Sequence, residues 1–119
     1  MSSFRDLLVW QKAMALVTDI YCLTRNFPKE ELYGLTSQIR RAMVSVPSNI
    51  AEGYGRNSTS DYVRFLRISI GSLYELQTQM EIAFNLQYCN SEVFTVLLAQ
   101  SNEISRMLTA MVTKIENGR

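Results

Sequence analysis

The sequence predicts an all-α protein: a single up-down antiparallel four-helix bundle spanning residues 1–119. Three observations carry that reading. Apolar residues recur at helical spacing in four separate segments, no segment sustains the alternation of a strand, and the connections between segments are short. The composition agrees, because 47% apolar residues with 5 Gly and 2 Pro suit one packed core and not a disordered or collagen-like chain.

In the first segment Leu7, Trp10, Met14, Val17 and Tyr21 follow a 3-4-3-4 spacing, and Ala13, Leu16, Ile20 and Leu23 widen the stripe. Ser3 with Asp6 has the form of an N-cap and its acid, and Phe27-Pro28 ends the segment because the residue before proline is driven out of helical geometry. The second segment is built on Ile39, Met43, Val46 and Ile50. Pro47 lies inside it, removes one helical donor and crowds the preceding turn, so a kink at Pro47 is expected. Gly53 and Gly55 read as flexible C-terminal positions.

The third segment carries Tyr62, Leu66, Ser69, Leu73, Leu76, Met80 and Ala83, with Ser58 and Asp61 as its cap. The fourth carries Val93, Leu97, Gln100, Ile104, Met107, Met111 and Ile115, opened by Asn90-Ser91-Glu92. Only Ser69 and Gln100 interrupt the apolar character of these two lines.

Composition also bears on chemistry. Histidine is absent, which removes the commonest general base and transition-metal ligand. Cys22 and Cys89 are too few for a thiolate zinc site and read as small buried residues of a reducing cytoplasm. Gly53-Tyr54-Gly55 lacks the spacing and the preceding strand of a phosphate loop. Ser45 and Ser48 have no base nearby, and Glu52, Asp61, Glu75 and Glu81 lack the Glu-x-x-His pairs of a di-iron bundle. The expectation is a protein that is not an enzyme, with no cofactor and no metal. Neither a signal peptide nor a membrane span is read, so cytoplasmic location and no membrane partner are expected.

The polar positions are ordered. Gln38, Arg41, Ser45, Asn49 and Glu52 form a line on the second helix, and Asp61, Arg64, Ser72, Glu75 and Gln79 form one on the third. Solvated face, subunit contact and ligand site are all compatible with these lines. Gly71, in mid-helix beside Ser69 and Ser72, points to close approach of another backbone, since an unexplained helical glycine costs about 0.5–1 kcal/mol.

Net charge is +1, yet it is polarised. Residues 40–67 hold Arg40, Arg41, Arg56, Arg64 and Arg67 against Glu52 and Asp61, giving +3, while residues 68–105 hold Glu75, Glu81, Glu92 and Glu103 and no base, giving −4. The five arginines are the candidate phosphate contacts, for RNA or DNA, although no known DNA-reading or RNA-reading motif accompanies them. The same polarity suits association of one copy with the next, with Arg41, Asn49, Glu52, Gly71, Glu75 and Gln79 as candidate subunit contacts.

Five motifs carry a family resemblance: Val9-Trp10-Gln11-Lys12-Ala13, Tyr33-Gly34-Leu35, Gln38-Ile39-Arg40-Arg41-Ala42, the run Ser45-Val46-Pro47-Ser48-Asn49-Ile50-Ala51-Glu52-Gly53, and Gly71-Ser72-Leu73-Tyr74-Glu75-Leu76-Gln77-Thr78-Gln79. In this order they resemble the four-helix-bundle proteins named after 23S ribosomal RNA intervening sequences, over roughly residues 4–111. The chain departs from the pattern at Gln77, where a glutamate is usual, and at Gln87, where Leu-Gly-Tyr is usual. The resemblance implies a ring-like homopentamer. It also implies kinship with the accessory protein of diversity-generating retroelements, whose basic ring engages nucleic acid and a reverse transcriptase. The expected function is a self-associating, nucleic-acid-associated accessory or scaffold protein; the alternative is an adaptor for another protein with no nucleic-acid partner.

Overall fold

A computed structural model describes residues 3–118 and contains four long helices and no strand among them. They are α1 (Leu8–Thr24), α2 (Leu35–Tyr54), α3 (Thr59–Asn85) and α4 (Ser91–Asn117). Each helix packs on its neighbours in the chain, and α1 closes the bundle against α4. The result is an elongated antiparallel bundle of 47 × 23 × 20 Å. None of the described helices is long and apolar enough to cross a membrane.

The core lines of α2 and α3 fall where the periodicity puts them. Ile39, Met43, Val46 and Ile50 are fully buried, as are Leu66, Leu73 and Leu76. Ser69 sits in that core without an energetic penalty because its hydroxyl donates to the Val46 carbonyl at 2.9 Å, joining α3 to α2. Pro47 is buried within an unbroken α2. Its ring has no N–H to give the Met43 carbonyl, so the helix runs on with one bond fewer.

On α1 the arrangement differs from the sequence expectation. The buried line is Val9, Ala13, Leu16 and Ile20. From the predicted stripe, Leu7 is buried and Trp10 and Val17 are half-buried, while Met14 and Tyr21 remain 41% and 36% exposed along the seam with α2. The first helix therefore has two apolar lines about 100° apart, one per buried face, and only the inner one enters the core. Cys22 lies on the outward side and is exposed, and Cys89 is half-buried; both thiols are free.

The caps divide similarly. The side chains of Ser58 and Asn90 accept from the backbone N–H of Asp61 and Val93, at 3.1 and 2.8 Å. Ser3 caps a short 3-10 turn, Phe4–Asp6, by accepting from the Arg5 N–H, and α1 begins after it at Leu8 with no side-chain cap.

Glycine roles are exchanged. Gly53 is no flexible terminus: it is buried inside α2, and a Cβ there would stand 2.7 Å from Phe65 Cβ and 3.1 Å from Tyr62 Cδ1. The close approach expected at Gly71 occurs at Gly53, while a Cβ on the exposed Gly71 would meet nothing within 4 Å. At the α3–α4 turn, Gln87 has φ 66°. The Tyr88 N–H bonds to the Ala83 carbonyl and the Gln87 N–H to the Phe84 carbonyl, both at 2.9 Å. This is a Schellman ending, in which the left-handed position favours glycine.

Two substitutions test this packing through chemical denaturation. Gly53→Ala is expected to cost about 1–3 kcal/mol, because the clash is with a Cβ and a ring that cannot move aside independently. Gln87→Gly is expected to add about 1 kcal/mol by relieving the left-handed strain. An unchanged midpoint in the first, or a loss in the second, contradicts the geometry described.

Candidate functional site

The five arginines do not form one surface. Arg40 and Arg41 stand near the start of α2, whereas Arg56 follows its end, roughly 22 Å further along at about 1.5 Å per residue. The second group is Arg56, Arg64 and Arg67. Arg56 pairs with Glu52 at 2.9 Å, Arg64 with Asp61 at 3.6 Å and Arg67 with Glu116 at 2.9 Å. Arg56 and Arg64 also rest on the Phe65 ring, at 4.8 and 4.5 Å from its centroid. With Ser60, Val63 and Ile68, Arg64 and Arg67 line an open hollow of 440 Å³.

The first group is held differently. The Arg40 Nε donates to Thr24 Oγ1 at 2.8 Å, and its guanidinium lies over the Tyr21 ring at 4.5 Å, so α2 is fastened to α1 there. Arg41 is exposed and makes no ion pair or side-chain hydrogen bond among the described residues. Both line a groove of 460 Å³ between α1 and α2, together with Tyr21, Tyr33, Thr36 and Val44. Tyr33 is 92% exposed. Thr36 is buried, and its hydroxyl has no hydrogen-bond partner. Further along the same seam Phe4, Trp10, Met14, Val17, Val44 and Pro47 line a second, apolar hollow of 330 Å³. The outer line of α1 makes one wall of this groove, so the feature was present in the sequence as an unusually wide stripe.

Of the candidate subunit contacts, Asn49, Glu52, Gly71 and Glu75 lie about the outer faces of α2 and α3, whereas Arg41 lines the groove with Arg40 and Gln79 is buried, against the expectation of a surface contact. Asn49 Nδ2 donates to the Ser45 carbonyl and hydroxyl, at 2.8 and 2.9 Å, and the Ser45 and Ser72 hydroxyls bond at 2.9 Å. These bonds close the α2–α3 seam from outside. Glu52, Gly71 and Glu75 are exposed, and Gln79 is buried with an unpartnered Oε1. Ile68 and Ile82, 41% and 44% exposed, continue the outward line of Gly71 and Glu75 along α3.

The sequence does not single out Glu31, and it marks Gln77 only as a departure from the family pattern. Glu31 accepts from the Leu35 N–H at 3.2 Å, capping the start of α2, and from the Tyr88 hydroxyl at 2.9 Å, tying the α3–α4 turn to the α1–α2 turn. Gln77 donates to Ser101 Oγ and Asn102 Oδ1, each at 2.9 Å, a role for its amide that a carboxylate has no hydrogen to perform.

The chain is thus an all-α four-helix bundle with an arginine-edged, partly apolar groove between α1 and α2 and an outward line of α3 that carries Gly71 and two exposed isoleucines. The model of the family described as 23S rRNA-intervening sequence protein matches residues 5–110, and the chain belongs to that family. The solved structures similar to it include a Bacteroides thetaiotaomicron protein titled as of unknown function from the S23 ribosomal protein family. That protein is 22% identical, superposes with a TM-score of 0.83, and the match covers 88% of this chain and 98% of the other. No curated protein matches the chain.

The Glu31–Tyr88 bond gives a pH prediction. Donation to Glu31 raises the Tyr88 pKa, with burial and the charges of Glu31 and Glu30 adding to it. A raised pKa means the stabilisation is complete below the ordinary tyrosine range and fades as pH rises through the raised value. The melting temperature of wild type is therefore expected to exceed that of Tyr88→Phe at neutral pH, and the gap to close in alkaline solution. A gap that widens with pH overturns the assignment.

Proposed function

We propose that this chain is a non-enzymatic, self-associating four-helix bundle, a ring-like homopentamer, that serves in the cytoplasm as a nucleic-acid-associated accessory or scaffold protein. One observation carries the self-association: the outward face of α3 has a mid-helix glycine with open space over it, set between exposed Ile68 and Ile82. A helical glycine whose Cβ position is open among the described residues costs helix stability without an intrachain packing reason, and its lack of a side chain lets another helix approach closely. The apolar half of the α1–α2 groove, around Trp10, Val44 and Pro47, is a second and different patch that accepts such a ridge. Contact between two different patches is heterologous and closes into a ring when the rotation allows. Arg40 and Arg41 at the groove and Glu75 on the outward line of α3 favour this pairing over like-on-like contact.

The arginines support the nucleic-acid half of the reading, and the charge limits it. A net charge of +1 per chain gives five copies about +5, so binding is expected to be modest and to weaken steeply with salt.

Light scattering at high micromolar concentration tests the assembly, with an expected mass of five 13.6 kDa chains. Gly71→Ala is expected to stabilise the isolated helix by about 0.5–1 kcal/mol yet weaken association, and Ile68→Glu to dissociate the ring without unfolding the chain. A monomeric wild type overturns the proposal. A pull-down from native extract with and without nuclease separates the scaffold from the adaptor: partners retained after nuclease, with no binding of RNA or DNA at low salt, favour an adaptor.

A further inference from the structure

The Tyr33 end of the α1–α2 groove has a composition that the apolar end does not. We infer that it is a binding site for a single-stranded nucleic-acid segment, with one base stacked on Tyr33 and the adjoining phosphates on Arg40 and Arg41; this rests on the nucleic-acid reading above and narrows it.

Four observations converge on that ligand. Tyr33 is 92% exposed, and its ring has no stacking partner among the described residues, whereas other aromatic rings stack or tilt against neighbours, as in Phe84–Phe94 and Phe27–Tyr88. An exposed ring of this kind is a platform for any base, because every base has a π face. Arg41 is a cation with no ion pair among the described residues, and Arg40, whose guanidinium lies on the Tyr21 ring, hydrogen-bonds through Nε, which leaves its terminal N–H groups for a phosphate. Arg56, Arg64 and Arg67, by contrast, each already face a carboxylate. The buried Thr36 hydroxyl lines the same groove without a partner, an unmet polar group of the kind a ligand's hydrogen-bonding edge or sugar hydroxyl satisfies. The acid nearest in sequence, Glu31, has both oxygens occupied, by the Leu35 N–H and the Tyr88 hydroxyl.

Size and rigidity fit as well. The 460 Å³ volume lies within the range of small-molecule sites, and the Arg40–Thr24 bond with the Arg40–Tyr21 stack fixes the groove floor before any ligand arrives. A duplex keeps its base faces stacked on one another and offers Tyr33 nothing, which is why the ligand is single-stranded. An acidic peptide would pair with the arginines, but its carboxylate side chains offer Tyr33 no π face to stack on.

The experiment measures fluorescence anisotropy of a labelled oligouridine of about 12 nucleotides, within the site sizes of such grooves, and of a duplex RNA of the same length, at two salt concentrations. The single strand is expected to bind about tenfold tighter than the duplex. Tyr33→Ala is expected to weaken it about fivefold or more, Tyr33→Phe to retain it, and Arg41→Ala to lower the salt slope by about one. Tyr33 is a surface residue, so circular dichroism and light scattering of Tyr33→Ala should match wild type. Single-strand binding that ignores Tyr33→Ala, or preference for duplex, overturns this inference. If such binding is abolished by Arg64→Glu/Arg67→Glu, the broader nucleic-acid reading stands while this site falls. Wild type that binds neither probe at low salt removes both.

Discussion

The α2–α3 contact sets everything else. It is the most extensive interface of the bundle, and it depends on the absence of a single side chain, at Gly53. Because no Cβ stands there, Phe65 and Tyr62 come down onto the α2 backbone, and the two helices sit close enough for Ser69 to reach the Val46 carbonyl and for Ser45 to meet Ser72. Those small polar bonds require short distances. Widening the seam at Gly53 would strand a buried serine hydroxyl at Ser69, at a cost comparable to the clash itself.

That closeness also explains the outer surface. A seam sealed by serines and an asparagine needs no bulky apolar cover, and Ser45, Asn49 and Ser72 supply that seal. Large apolar residues still point outward, Val44 on α2 and Ile68, Tyr74 and Ile82 on α3. The α1–α2 seam is the opposite case. There the approach is looser, Arg40 reaches across to Thr24 and Tyr21, and the larger side chains leave a groove along the helix pair.

Much of this was legible in the chain, and the pattern of what was not is physical. Periodicity identified four helices and the inner faces of α2 and α3, because burial on one side imposes a 3.6-residue repeat. Ser58 and Asn90 were readable as caps because a cap is a local bond within three residues. On α1 the periodicity was ambiguous, since its two apolar lines obey the same spacing and sequence alone does not say which is inside. The exchange between Gly53 and Gly71 was illegible for a related reason: close approach belongs to the partner helix, and neither glycine's neighbours in sequence report it. Pairs such as Arg67–Glu116 and Glu31–Tyr88 join residues far apart in the chain and leave no local sign; the first sets an acid from α4 beside the stretch that sums to +3. At Gln87 the family pattern offered a usable sign, a glycine where this chain has none, and the left-handed φ supplies its cause.

Charge is where fold and function meet. A nearly neutral chain is a poor general polyanion binder, and three of the five candidate arginines already face carboxylates. Such exposed pairs stabilise the fold by no more than about 1 kcal/mol each, so their larger effect is on which cations remain available. What remains is concentrated at one end of the groove, on Arg40 and Arg41, beside the most exposed aromatic ring in the protein. A diffuse basic field attracts any nucleic acid, whereas two fixed guanidinium groups next to a bare ring reward a strand whose bases are unpaired. Low net charge is therefore compatible with nucleic-acid association provided that recognition is local, and it removes the non-specific background that would otherwise obscure it.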